Sequence, residues 1–124
     1  QQKAVVDCCK NHLLTPYGMR SLASNESGYE PYYQGNPRQR DGAYHQGTVW
    51  SWLIGPFIDA HYRVYKDTEQ ALSFLEPFRQ HLNTACIGQV SEIFDAEAPF
   101  KPRGCFAQAW SVGEVLRVWL KYSK

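Results

Sequence analysis

The clearest hydrophobic pattern lies in the middle of the chain, where apolar side chains recur at the spacing of one helix face. The positions at i, i+3, i+4, i+7, i+8, i+11 and i+15 are Trp50, Leu53, Ile54, Phe57, Ile58, His61 and Tyr65. This stripe predicts a helix over about 48–66. Because His61 falls on the stripe, we interpret it as a core or rim histidine rather than a ligand.

A second apolar stripe follows closely and predicts a helix from about 68 to 87, with Asp67 or Thr68 as its N-cap. Its buried positions are predicted to be Ala71, Leu72, Leu75, Phe78, Leu82 and Ala85. Pro77 should kink or restart this helix, because a proline removes a hydrogen bond and clashes with the preceding turn. Gly88 suits the C-terminal stop.

Two further helices are predicted near the ends of the chain, over 3–14 and over about 105–122. The apolar side of the last helix is predicted to consist of Phe106, Ala109, Trp110, Val112, Gly113, Leu116 and Leu120. No stretch shows the alternation of a strand, so the fold class predicted from the pattern is all-α.

Two irregular stretches separate these helices, at about 15–49 and 88–104. The first holds five glycines, three prolines and five of the eight tyrosines, and no period of 2 or 3.6 crosses it. Long irregular segments inside compact domains are often functional. If consecutive helices are antiparallel, both stretches open at the same end, where we expect binding and catalysis.

The composition narrows the possible classes of protein. With 44% hydrophobic and 20% charged residues, the 124-residue chain is neither disordered nor collagen-like. The 13 basic and 12 acidic residues are well mixed, so we expect no nucleic acid as partner, and no apolar run is long enough for a membrane. The four cysteines fit no zinc pattern, and we expect reduced thiols, three or four of them buried, in a cytoplasmic protein without metal or cofactor.

Candidate chemistry concentrates in two segments. Residues 40–52 contain a charge pair, Tyr, His, Gln and two Trp, and represent either a helix entry capped by Thr48 or a sugar pocket of stacking rings and polar groups. Residues 88–105 contain Glu92, which is either a general base tuned by apolar neighbours or part of a solvated acidic loop. Arg103 and Asp95 of the same segment could form a structural ion pair.

Three motifs carry a resemblance to a known family: Tyr44–Trp50, Ser91–Asp95 and Pro102–Ser111. In order and spacing they resemble the amylo-α-1,6-glucosidase domain in the C-terminal part of glycogen debranching enzymes, of the bacterial and archaeal type. The resemblance extends from about Leu13 to Leu120. The chain departs from the family at Ala96-Glu97, where the family usually has Gly and an acidic residue.

The resemblance implies an (α/α)6 toroid, of which residues 1–124 would supply about four or five helices and thus a fragment of a single glucosidase domain. It implies hydrolysis of an α-1,6-linked glucose with inversion, with glycogen or limit dextrin as substrate. Inverting glycosidases use one acid and one base. Glu92 matches the family's base, whereas the acid matches a segment upstream of these residues. The pocket wall implied by the resemblance comprises Asp41, Tyr44, His45, Gln46, Trp50, Arg103, Gln108 and Trp110.

A second reading of the same residues is a non-catalytic glucan-binding or remnant fragment that lacks the general acid. On either reading, we expect the 124 residues alone to be inactive. Since helix stripes of a partial toroid would lack neighbours, we also expect a possible homodimer through the exposed helix faces.

Overall fold

The computed structural model describes residues 1–124 and contains six α-helices, one 3₁₀ turn and five short strands. The helices are α1 (Gln2–His12), α2 (Pro37–Ala43), α3 (Ile54–Tyr65), α4 (Thr68–Ser73), α5 (Glu76–His81) and α6 (Ala109–Tyr122). The strands are β1 (Leu14–Thr15), β2 (Gly18–Arg20), β3 (Val49–Trp50), β4 (Ile93–Phe94) and β5 (Pro102–Arg103). The 3₁₀ turn covers Ser51–Leu53 and leads directly into α3.

The five strands form one antiparallel sheet in the order β1-β2-β3-β4-β5. The chain is helix-rich, but this sheet means that the prediction of an all-α fold was wrong in its strict form. Strands of two or three residues are too short to show an alternating pattern, so no periodicity marks them in the sequence. The sheet also joins the two irregular stretches, because Val49 pairs with Phe94 and Trp50 with Ile93.

The predicted helix over 48–66 is present in shortened form. Trp50 belongs to β3, and α3 ends at Tyr65 because Lys66 adopts a left-handed conformation with φ of 56°. Asp67 is the predicted cap, and its side chain accepts the N–H of Gln70 at 2.9 Å. As expected, the helix restarts at Pro77, which lies in the first turn of α5.

Two helix ends differ from the prediction. Helix α5 stops at His81, not near residue 87, so Ala85 is exposed rather than buried. Helix α6 begins at Ala109, and Phe106 lies before it with 63% of its surface exposed. In both places the apolar residues outside the helix made the periodic pattern look longer than the helix is.

The core is built around α3. Its largest cluster comprises Val6, Met19, Ile54, Phe57, Ile58, Ala71, Leu75, Phe78, Val90, Val118 and Tyr122. A smaller cluster of Val49, Phe94 and Ala96 lies at the sheet. The ring of Tyr17 stacks on Phe94 at 4.6 Å and meets the edge of Phe78 at 6.0 Å, so it connects the two clusters.

Helix α6 buries a different side from the one predicted. Ser111, Val118 and Tyr122 are buried, whereas Trp110, Leu116 and Leu120 are about half exposed. Trp119 is exposed as well, so the helix carries apolar side chains on more than one side. This distribution is typical of helices that pack on several neighbours. The homodimer through exposed helix faces stays a prediction.

The cysteines are all unbridged, but none is fully buried: Cys8 and Cys105 are exposed, and Cys9 and Cys86 are partly so. The prediction that three or four would be buried was therefore wrong. No group of three or more potential metal-binding side chains comes together. None of the helices combines the length and apolar character needed to span a bilayer.

Two histidines are buried in this fold. His61 has no exposed surface and neither ring nitrogen has a hydrogen-bond partner, while its ring stacks on Tyr65 at 4.6 Å. His81 accepts the backbone N–H of Ser91 at its Nε2 atom, at 3.1 Å. Burial lowers the pKa of both imidazoles, and the nearby Lys10 lowers the pKa of His61 further.

These histidines predict a stability that falls with pH below neutrality. An unfolded histidine has a pKa of about 6.5. As the pH falls below that value, the unfolded state binds protons that the folded state excludes, so the free energy of unfolding decreases. We expect a lower urea midpoint at pH 5.5 than at pH 7.5, and a weaker dependence on pH in His61→Phe. An equal pH dependence in the two proteins would contradict this assignment.

Candidate functional site

Glu92 is fixed through its backbone immediately before β4. Its N–H donates to the carbonyl of Cys105 at 2.8 Å, and its carbonyl accepts the N–H of Ser51 at 3.3 Å. The residue is thus held between the start of the 3₁₀ turn and the segment that follows β5. Its side chain is half-buried.

Both oxygens of the Glu92 carboxylate accept hydrogen bonds. Oε1 accepts the hydroxyl of Tyr44, and Oε2 accepts the backbone N–H of Cys105 at 2.9 Å. Gly104 lies directly against this carboxylate, with φ of 65°, and a Cβ atom there would come within 2.5 Å of Oε2. The carboxylate therefore occupies space that only a glycine at position 104 leaves open.

Tyr44 follows α2, whose start is defined by a capping box. The Asn36 side chain accepts the N–H of Gln39 at 3.0 Å, and the Gln39 side chain accepts the N–H of Asn36 at 2.9 Å. After the C-terminal end of α2, Thr48 Oγ1 donates to the carbonyl of Ala43 at 2.8 Å. Thr48 therefore closes the turn that follows α2 instead of capping the next helix. The Trp50 indole N–H donates to the Tyr44 carbonyl at 2.9 Å.

The phenol of Tyr44 is a persistent hydrogen-bond donor. Burial raises its pKa above the ordinary value near 10, and the adjacent Glu92 carboxylate raises the pKa further. Its ring packs among those of Tyr33, His45 and Trp50, at 5.5, 4.8 and 4.6 Å between centroids. At neutral pH this hydroxyl is therefore protonated.

A cleft of about 470 Å³ adjoins this pair and has aromatic walls. The rings of His45 and Trp50 are parallel within 2°, and those of Trp52 and Trp110 stack at 4.0 Å. The lining residues are Arg20, Ser21, His45, Trp50, Trp52, Leu53 and Trp110. Because Tyr44 contacts both His45 and Trp50, the Glu92 carboxylate lies next to the cleft although it is not on its wall.

Four of the seven lining residues were not predicted as site residues: Arg20, Ser21, Trp52 and Leu53. Trp52 lies in the segment 40–52, which was interpreted as either a helix entry or a sugar pocket, and its spacing two residues after Trp50 was the available signal. Arg20 lies on β2 and reaches the cleft because Met19 and Arg20 pair with β3. Its guanidinium donates to the carbonyl of Ala96 at 3.2 Å. Because the two residues are 76 positions apart, no local sequence pattern predicts this contact.

Arg103 is positioned by an ion pair. Its Nε and one terminal nitrogen donate to Asp95 Oδ2 at 3.1 and 2.9 Å, and Asp95 is 2% exposed. Asp95 Oδ1 also accepts the backbone N–H of Tyr33 at 2.9 Å. This is the structural pairing that the sequence left open, and it links β4, β5 and the first irregular stretch.

The remaining predicted pocket residues lie apart from the cleft. Gln46 borders a separate polar cleft of about 600 Å³ between α2 and residues 28–34. Asp41 is exposed on α2. Gln108 is the N-cap of α6, and its N–H donates to the Val90 carbonyl at 3.0 Å. The structure thus brings Tyr44, His45, Trp50, Trp110 and Glu92 together, and leaves Asp41, Gln46 and Gln108 outside that group.

His81 is a supporting residue that sequence reasoning missed. By accepting the Ser91 N–H it fixes the residue that precedes Glu92, and its ring meets Phe94 of β4 edge-on at 4.8 Å. No partner for His81 is visible in the sequence, since its contacts lie across the fold.

Chemically, the arrangement offers one fixed proton acceptor beside an aromatic cleft. No second carboxylate is hydrogen-bonded to Glu92 or to Tyr44. Asp95, the next carboxylate along the chain, has both oxygens engaged by Arg103. A reaction that needs an acid as well as a base would have to obtain the acid from another group.

The sequence matches known proteins as follows. A model of the family described as Amylo-alpha-1,6-glucosidase matches residues 1–117. The glycogen debranching enzyme of Saccharomyces cerevisiae is 37% identical over 59 residues, which cover 43% of this chain. The match covers 4% of the yeast protein, so this chain corresponds to a small part of its length.

Alanine substitutions at Gly104 and at Gly113 should change the free energy of unfolding in opposite directions. Gly104 packs against Glu92, whereas Gly113 has open space around it. Gly104→Ala should lower the free energy of unfolding by about 1–2 kcal/mol from the left-handed backbone alone, and the clash with Glu92 Oε2 adds to this. Gly113→Ala, on an exposed helical site with nothing within 4 Å, should raise stability by about 0.5–1 kcal/mol. Chemical denaturation of both variants measures the difference. Equal effects would contradict the close packing at residue 104.

Proposed function

Because the chain belongs to the amylo-alpha-1,6-glucosidase family, we propose that it forms part of the catalytic centre of a glycogen-debranching glucosidase. The resemblance drawn from the three motifs is thereby confirmed at the level of the family. In this proposal Glu92 is the general base in hydrolysis of an α-1,6-linked glucose with inversion. The observation that carries the proposal is the Glu92 carboxylate, held by Tyr44 and Cys105 beside an aromatic cleft.

Inversion requires two carboxyl groups on opposite sides of the scissile bond. Water attacks the anomeric carbon while the base takes one of its protons, and the acid protonates the departing glycosidic oxygen. Glu92 suits the first role, because each carboxylate oxygen uses one lone pair for its fixed donor and retains another for water. The fixed donors prevent the carboxylate from turning away as the proton is transferred.

The general acid is proposed to come from another part of the family's domain. Within residues 1–124, Asp95 is engaged by Arg103, and Glu97 accepts the hydroxyl of Tyr29 at 2.6 Å and lies 3.5 Å from Arg20. Asp41 is exposed on α2 and has no contact with the Glu92 pair. The apolar side chains on several sides of α6 support a toroidal domain in which this helix has further neighbours.

The aromatic cleft is proposed to bind the glucan next to the cleaved bond. Pyranose rings stack their C–H faces on aromatic rings, and Trp110 has 54% of its surface available for such contact. The cleft volume of about 470 Å³ lies within the usual range for small-molecule sites. Ser21 and Arg20 supply polar atoms on the same wall.

A second function has one observation in its favour. These residues form an aromatic cleft but contain no acid partner for Glu92, and this favours a glucan-binding segment without catalysis. If the segment is catalytic, Glu92 is essential for the activity of a complete domain. If it only binds glucan, Glu92 is not essential.

Glu92→Gln in a complete glucosidase domain carrying this segment should abolish most activity on a branched limit dextrin. General base catalysis contributes roughly 10²- to 10⁴-fold, so kcat should fall by that factor while the fold is retained. Glu69→Gln, at an exposed position on α4, is the matched control and should keep full activity. A loss below tenfold in Glu92→Gln would exclude Glu92 as the base.

The 124 residues alone should bind glucan without hydrolysing it. Maltooligosaccharide should change the tryptophan fluorescence through Trp52 and Trp110, and Trp110→Ala should reduce this change. No glucose should be released from limit dextrin, since no acid faces Glu92. Turnover that disappears in Glu92→Gln would mean that an acid exists within these residues.

A further inference from the structure

We propose that Tyr44 is a positioning residue for Glu92, and that it does not bind sugar as the family resemblance implied. Its hydroxyl would fix the plane of the carboxylate that activates water. This inference rests on the proposed function, because positioning matters for catalysis only if Glu92 is the base. The geometry that supports it is the convergence of two donors, from different parts of the chain, on the two oxygens of one carboxylate.

A single donor would leave the carboxylate free to turn. The terminal torsion of a glutamate is broad, so a bond from Cys105 N–H to Oε2 alone allows the other oxygen to move. Tyr44 supplies the second point of attachment at Oε1. With Gly104 packed against Oε2, the carboxylate is confined from a third direction.

Tyr44 is itself held more firmly than a pocket wall requires. Its carbonyl accepts the Trp50 indole N–H, and three aromatic rings enclose its side chain. One of these rings belongs to Tyr33, whose backbone N–H is bound to the buried Asp95. The position of the hydroxyl is thus determined by β3, by the residues before α2 and by the ion pair at β5.

The hydroxyl hydrogen of Tyr44 is also already committed. It is donated to Glu92, so it is not available to a sugar hydroxyl unless the pair breaks. Burial and the neighbouring carboxylate raise the pKa of Tyr44, which keeps the donor in place throughout the pH range of enzyme assays. A residue with these properties should affect the rate of the chemical step more than substrate affinity.

The pair can be tested in the 124-residue chain without any activity. Tyrosines labelled with ¹³C at Cζ report their own titration by NMR, and the Tyr44 signal is assigned from its loss in Tyr44→Phe. In Glu92→Gln the pKa of Tyr44 should shift down towards 10, because the negative charge beside it is gone. The matched control is Glu97→Gln, which should instead move Tyr29, whose pKa of about 12 is raised by burial and by Glu97.

The role in catalysis is tested in a complete domain with Tyr44→Phe, which retains the ring and removes the hydroxyl. Misplacement of a catalytic group by about 1 Å can cost up to roughly 10²-fold, so kcat should fall by about 10- to 100-fold with KM changed less than about twofold. The control is Tyr62→Phe on α3, where the ring packs on Tyr122 and the hydroxyl makes no hydrogen bond, and it should leave both constants unchanged.

The outcomes separate the two proposals. A higher KM with unchanged kcat in Tyr44→Phe would return Tyr44 to the pocket wall and overturn the inference, as would no effect on either constant. An unchanged pKa of Tyr44 in Glu92→Gln would overturn the Tyr44–Glu92 pair and would leave Glu92 as the proposed base. If Glu92→Gln retains activity although the titrations are coupled, the proposed function and the positioning role both fail, and the pair is only structural.

Discussion

The antiparallel pairing of β3 with β4 is the contact on which the site depends. It places Val49 opposite Phe94 and Trp50 opposite Ile93, and so brings the two irregular stretches together through residues more than 40 positions apart. Glu92 directly precedes β4, whereas Tyr44 lies at the end of α2, and their hydrogen bond spans 48 positions of the chain.

The helical part of the fold was predictable because burial on α3 repeats with one period. Ile54, Phe57, Ile58 and His61 are buried as the stripe required. The sheet was not predictable, since its strands are two or three residues long and too short to show an alternating pattern. The buried side of α6 was not predictable either. Apolar side chains lie on more than one side of this helix, and their spacing does not show which of them are buried.

For the candidate site, motif and geometry contributed different information. The motifs identified Glu92, Tyr44, His45, Trp50 and Trp110, which the fold brings together. The motifs could not distinguish residues that line the cleft from residues that support the surrounding backbone. That distinction depends on long-range partners: Arg103 is occupied by Asp95, and His81 by Ser91. Arg20 is missing from every local pattern because it reaches the cleft only through the pairing of β2 with β3.

The way in which Glu92 is held also limits what this segment can contribute to a reaction. Each of its contacts comes from a backbone group, a glycine or a phenol, and none from a second carboxylate or a cation. Such an environment fixes the direction of a proton acceptor and leaves its partner in catalysis unspecified. The aromatic cleft beside it, which we propose as the sugar site, has no carboxylate among its lining residues. If Glu92 acts as the proposed base, this frame separates the two halves of the acid–base pair, because the proposed acid has to approach from another part of a glucosidase domain.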